Sequence, residues 1–183
     1  MSARALRIGI AAIIMMTALP AAAEFSPQHV VAGQSLDLKG TATHRLAGLL
    51  KVCRAALYGL PSDAGEDIHL RDVPKRLEIE YFVPVGKDRL IRMAEDSLRS
   101  QFSADQLQPL DRQIREFHKL YQDVGRSDRY AMTYHPEQGL TLELNGEILG
   151  SVPGPRFART YLAIWLGDDP VSPAMKKKLL QKS

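Results

Sequence analysis

An α+β fold, with helices packed on a mostly antiparallel sheet, is the class this sequence predicts, and three observations carry it. Strand-like and helix-like segments come in blocks, as strands, two helices, three strands and two helices, rather than in β-α alternation. Residues 129–152 read as three short strands joined by tight turns. Phe157, Tyr161, Ile164 and Trp165 then fall at i, i+4, i+7 and i+8, which turns the aromatic-rich stripe of one helix inward and leaves Arg156, Arg159 and Thr160 elsewhere.

Residues 1–23 hold Arg4 and Arg7, an apolar run over 8–19 and the small residues Ala21, Ala22 and Ala23. That is the pattern of a secretory signal peptide cleaved before Glu24, with an apolar run too short to span a bilayer. The expectation is a soluble exported protein, periplasmic in a Gram-negative host, whose mature chain, residues 24–183, forms one domain around one core. Loss of those two arginines lowers the formal charge from +3 to +1, so overall charge gives no ground to expect nucleic acid or an anionic surface as partner. Cys53 is the one cysteine, which rules out an intrachain disulfide even in an oxidising compartment.

Residues 34–38 alternate, and 40–60 continue as two strand-like runs around Leu46-Ala47-Gly48. The second run, 49–60, is so evenly apolar that periodicity alone leaves helix and strand open. Residues 77–83 form a clear strand, with Leu77, Ile79, Tyr81 and Val83 on one face, ended by Pro84 and Gly86. Leu90, Ile91, Ala94, Leu98 and Phe102 mark a helix over 90–102. A second, charged helix is predicted over 104–121, buried along Leu107, Leu110, Ile114 and Phe117 and delayed or kinked by Pro109.

Pro136-Glu137-Gln138-Gly139 and Asn145-Gly146 supply the two turns of the three-stranded meander, the second because both its residues accept positive φ. Pro155 suits the first turn of the aromatic helix, where its missing N–H costs nothing, and Gly167 is its predicted C-cap. Ser172 and Pro173 begin a last helix in which Lys176, Lys177 and Lys178 sit in the later turns, where the helix dipole favours cations.

Chemistry is sparse. His29, His44, His69, His118 and His135 show no i, i+4 pair and no cysteine at ligand spacing, so neither a metal nor another cofactor is expected. Phosphate-cradling glycine loops and a G-x-S-x-G elbow are absent from the sequence. Cys53 lies in an apolar run and reads as a small buried hydrophobe rather than a nucleophile paired with His44, and Asp168-Asp169 reads as a solvated loop.

Four segments together carry a family resemblance: Asp128-Arg129-Tyr130 with Thr133-Tyr134, Asn145-Gly146-Glu147 with Leu149-Gly150, Phe157-Ala158 through Ile164-Trp165-Leu166-Gly167, and Ser172-Pro173. In these the chain resembles the chalcone isomerase-like family, in particular its exported bacterial branch, over about residues 36–180. The resemblance implies an open-faced β-sandwich in which a large antiparallel sheet is covered by a layer of helices, and it reads residues 51–58 as a long strand crossing that sheet. It also implies a ligand site in the sheet–helix cleft. Arg45 would stand where the family's cleft arginine stands, a group suited to an enolate, phenolate or carboxylate because it keeps its charge and donates two parallel hydrogen bonds. Cys53 takes the place of the threonine of the long strand. The places of the plant enzymes' tyrosine, lysine and asparagine hold Arg89, Arg92 and Asp96, and Ser172 keeps the hydroxyl before the last helix.

With the tyrosine's place not filled by a phenol, the resemblance implies a non-catalytic exported protein that holds an apolar or amphiphilic small molecule such as a fatty acid, with Arg45 as polar anchor. Two alternatives stand beside it. One is an intramolecular lyase of the chalcone isomerase type, and the other is a structural or interaction module with a filled core and no ligand.

Overall fold

Seven strands form one sheet in sequence order, each antiparallel to the next: β1 (Gln28–Val31), β2 (Gln34–Leu46), β3 (Leu50–Gly59), β4 (Lys75–Tyr81), β5 (Arg129–His135), β6 (Gly139–Leu144) and β7 (Glu147–Val152). Helices α1 (Lys87–Gln101), α2 (Ala104–Leu107) and α3 (Asp111–His118) lie between β4 and β5, and α4 (Pro155–Leu166) and α5 (Pro173–Leu180) follow β7. The structure, a computed structural model, describes residues 24–46, 48–63 and 66–181. The expected signal peptide lies outside the described residues. The α+β architecture of an antiparallel sheet under a helical layer is the one predicted.

Two local readings are corrected and a third is given its physical reason. The helix expected over 104–121 is broken into α2, a 3-10 turn over Gln108–Leu110 and α3. Pro109 stands inside that 3-10 turn, because a proline in a helix interior would clash with the preceding turn. Ser103 and Gln106 close a reciprocal capping box that starts α2. The strand runs at 34–38 and 40–45 form one long strand, β2, with irregularities after Leu38 and after His44. Gly167 does cap α4, yet in extended conformation (φ −77°), so left-handed backbone is not the reason for glycine. A Cβ there would stand 2.7 Å from the Ala163 carbonyl and collide with the Gln101 side chain, so crowding is.

The two faces of the sheet are built differently. Toward the helices, Leu57, Leu77, Ile79, Met132, Tyr134 and Leu142 pack with Leu90, Leu98, Phe117, Phe157, Leu162 and Leu179 in one apolar core. Phe117 sits edge-on to Phe157 and Tyr161, with centroids 5.5 and 4.6 Å apart, a favoured aromatic geometry. Helix α5 seats directly on β2, where a Cβ on Gly40 would stand 2.5 Å from the Lys178 carbonyl oxygen.

On the outer face a ladder of charges crosses β3 to β6. Arg54 and Arg129 both reach Glu80 Oε2, at 2.6 and 3.0 Å, and Arg76 reaches Glu78 at 2.8 Å and Glu143 at 2.6 Å. The Phe25 ring lies against the Arg54 and Arg129 guanidiniums, at 4.9 and 4.8 Å. Paired charges and an aromatic cover close this face, so the helix side is where a ligand cleft can form.

Candidate functional site

A cavity of about 250 Å³ opens where the β2–β3 hairpin, the end of β4, α1 and the α4–α5 junction meet. The sheet contributes His44, Leu46, Leu50, Val52, Cys53, Ile79 and Tyr81, because the inward residues of neighbouring strands share one face. Arg89, Leu90 and Met93 of α1 form another wall. Trp165, Val171, Ser172 and Met175 close it from α4 and α5. The lining is mainly apolar, with a few polar groups, as ligand pockets tend to be. A surface groove of about 550 Å³ adjoins it, shares Arg89, Met93 and Val171, and continues along Arg92, Asp96 and Asp169.

The six residues expected at the site are distributed over three places. Cys53, Arg89 and Ser172 line the cavity. Arg92 and Asp96 line the groove and not the cavity, and Asp96 lies 3.8 Å from Arg99 on its own helix. Arg45, the expected anchor, lines neither: it is exposed and pairs across the hairpin with Lys51. The cause is the alternation of β2, in which Ala42 packs into the helix-side core and His44 and Leu46 take the cavity-facing positions. In a strand, neighbours point to opposite faces, so the residue between those two points away.

Each polar group at the cavity has a physical state. Burial pushes the Cys53 thiol up to about 11, so it is a protonated thiol at neutral pH and not a nucleophile. The Ser172 hydroxyl accepts a hydrogen bond from the Met175 backbone N–H at 3.3 Å and caps α5. Burial holds the Tyr81 hydroxyl neutral, well above the usual phenol range, and that hydroxyl has no hydrogen-bond partner among the described residues. The Arg89 side chain likewise has no ion pair or hydrogen bond among the described residues. The donors available to an incoming group include a phenol that keeps its proton and a guanidinium that keeps its charge, beside the His44 imidazole and the Ser172 hydroxyl. Among the described residues no group of three or more histidine, cysteine or acidic side chains converges as a metal site.

His44, Tyr81, Met93 and Trp165 line the cavity without having been expected there. Tyr81 carried a signal, since it stands on the inward alternation of its strand, directly across from Cys53. His44 flanks the arginine that was expected in its stead.

Comparison with known proteins bears on both fold and site. Residues 20–181 match the sequence profile of a family described as chalcone isomerase-like. The fold is similar to that of the crystal structure of a fatty-acid binding protein from Arabidopsis thaliana, with a TM-score of 0.60 and 16% identity, over 84% of this chain and 95% of that one. At that identity the likeness speaks for the fold alone. No curated protein sequence matches the chain.

Proposed function

This chain belongs to the chalcone isomerase-like family, and on that footing we propose that it is an exported binding protein that holds an amphiphilic small molecule, with a carboxylate-bearing apolar chain such as a fatty acid as the first candidate. The observation that carries this reading is the apolar cavity beneath Trp165 with one guanidinium, Arg89, on its wall and on the wall of the adjoining groove. At about 250 Å³ the cavity is just under the ~300–1,000 Å³ of typical ligand pockets, so it suits a slim tail whose head group stays near the groove. The name of the Arabidopsis neighbour supports the ligand class, and the protonated Cys53 thiol supports binding over covalent chemistry. Export before Glu24 remains part of this proposal, tested by intact-mass measurement of the protein recovered from the periplasm.

The test of binding is titration with a long-chain fatty acid, read by the emission of Trp165, which is the one tryptophan and a cavity wall. Arg89→Ala weakens binding roughly tenfold, the value of a charge-assisted hydrogen bond of about 1.5 kcal/mol on a partly exposed guanidinium, and Arg89→Lys recovers part of it. Arg45→Ala leaves affinity unchanged, because Arg45 is off the cavity. Emission that does not respond to any addition of fatty acid refutes the reading.

One observation favours a second reading, an intramolecular lyase closing a ring by addition of a phenol oxygen. The neutral Tyr81 phenol and Arg89 face the same cavity and could both donate to a developing oxyanion. Saturable cyclisation of a chalcone that falls a hundredfold or so in Tyr81→Phe would establish it over the binding reading.

A further inference from the structure

The tip of the β2–β3 hairpin is unlike the rest of the surface. Leu46, Leu49 and Leu50 are 57%, 87% and 54% exposed, and Met93 of α1 is 39% exposed on the wall of the same cavity. At this tip the Leu49 N–H donates to the Leu46 carbonyl at 3.1 Å, and Gly48 takes φ +74°, which glycine adopts without strain. Directly below the leucines, Arg45 and Lys51 stand opposite each other across the two strands, both exposed. Like charges at opposed positions destabilise a strand pair, and neither has a carboxylate partner among the described residues. Arg89 and Arg92, on the cavity and groove side, also have none.

We propose that this tip is a docking element for an anionic lipid surface, with the three leucines entering the interface and Arg45 and Lys51 meeting the phosphate head groups. Exposed leucines gathered at a tip mark an interaction site, and cations placed just behind an apolar edge can bury their stems while their charges stay at head-group level. Anionic lipid also supplies the counter-charge that the Arg45–Lys51 pair lacks. A second copy of this chain fits less well, because a two-fold contact through the tip would bring the same cations together. Leu46 and Leu50 line the cavity as well, so docking places the cavity's open side against the source of an amphiphile. The overall charge of the mature chain conceals this, since the cations are concentrated locally while the sum is close to neutral. No helix among the described residues is long and apolar enough to cross a membrane, and docking of this kind requires none.

The experiment is co-sedimentation of the protein with vesicles of phosphatidylglycerol and phosphatidylethanolamine, and with vesicles of phosphatidylcholine alone, at low and high salt. The expected result is binding to the anionic vesicles that weakens with salt and is much weaker on phosphatidylcholine. Leu49→Asp lowers the partition about tenfold or more, since it removes the most exposed leucine and places a charge at the interface. Lys51→Glu lowers it by a similar factor, and its residual binding loses the salt dependence. Leu49→Asp keeps the wild-type melting temperature because its side chain is exposed, and Lys51→Glu keeps or slightly raises it, because it sets a carboxylate opposite Arg45. Absence of wild-type binding, equal partition onto phosphatidylcholine, or equal binding by Leu49→Asp overturns the proposal. A concentration-dependent dimer that Leu49→Asp abolishes, seen by sedimentation velocity without vesicles, overturns it in favour of a second copy. The inference rests on the binding function only for its purpose. Fatty-acid titration of Leu49→Asp in vesicle-free solution reports the cavity separately from docking.

Discussion

Glu80→Gln takes one carboxylate out of the charge ladder on the outer face of the sheet while preserving its shape. Glu80 is 2% exposed and accepts from Arg54 and Arg129, whose side chains are 21% and 25% exposed. The wild-type ladder sets three arginines, Arg54, Arg76 and Arg129, against three carboxylates, Glu78, Glu80 and Glu143, and the variant leaves three against two. Removing one partner of a buried pair costs about 3–5 kcal/mol, because the charge left behind has lost both its counter-ion and its water. Partial access of solvent to both arginines places the expectation at the lower end, about 3 kcal/mol. For a domain of this size that is a fall in melting temperature of about 6–12 °C, measured by circular dichroism at neutral pH. Replacing Arg54 and Glu80 together by apolar residues of similar volume should cost less than Glu80→Gln alone. Fatty-acid affinity should not change, since the ladder lies on the face away from the cavity. A fall below about 2 °C would refute the reasoning, because it would mean the ladder is solvated and contributes no more than a surface ion pair.

Other outcomes follow from single groups. Burial lowers the Lys75 amine to about 8, below its ordinary value, so between about pH 8 and 10 the unfolded chain holds this proton where the folded one does not, and Lys75 adds to stability as pH rises while the raised Cys53 thiol acts in the opposite sense. The Lys75 contribution, up to about 3 kcal/mol over the full window, should appear as the pH-dependent difference between denaturant titrations of wild type and of Lys75→Met. Alkylation of Cys53 by iodoacetamide should be slow at pH 8 and fast once the chain is unfolded, because the folded thiol ionises only near 11. Gly40→Ala should destabilise by about 1–3 kcal/mol, read by thermal melting, because its Cβ would push α5 off the sheet through backbone carbonyls that cannot move aside cheaply.

How far the sequence reaches depends on the range of the interactions that decide each element. The meander β5–β7 and helix α4 were legible because their signals are local. Asn145 and Gly146 take φ values of 54° and 87°, as a tight turn between adjacent strands demands, and Phe157, Tyr161, Ile164 and Trp165 are all buried along one helix face. Strand β1 was not legible. Its four residues alternate only between exposed and half-buried, and it exists through pairing with β2, including the hydrogen bond from Gln28 to Asp37 at 2.8 Å. The break between α2 and α3 was signalled by Pro109, but a helical stripe runs through it in the sequence, and only the geometry shows that the chain turns there.

The site was legible to a shallower depth, for a reason that can be located at His44 and Arg45. Family position put a guanidinium in the cleft, and residue alternation decides whether it arrives. The alternation of β2 gives the inward places to Ala42, His44 and Leu46, and it is set upstream, where the extra residue Lys39 between Leu38 and Gly40 shifts the register. Tyr81 shows the complementary limit. Its inward direction could be read from the alternation of β4, yet whether an inward side chain meets another side chain or open space depends on where the helices rest. Around Leu77 the space is filled, and around Tyr81, Cys53 and Trp165 it is open. The guanidinium of the cleft thus comes from the helix side, from Arg89 rather than Arg45, while the strands bring His44 and Tyr81. A ligand anchored there would place its head toward the groove of α1 and its tail toward Trp165. That orientation makes Trp165 emission sensitive to tail length and Arg89 sensitive to head-group charge. A fatty alcohol of matched length should therefore quench or shift Trp165 as the acid does, while losing the difference between wild type and Arg89→Ala.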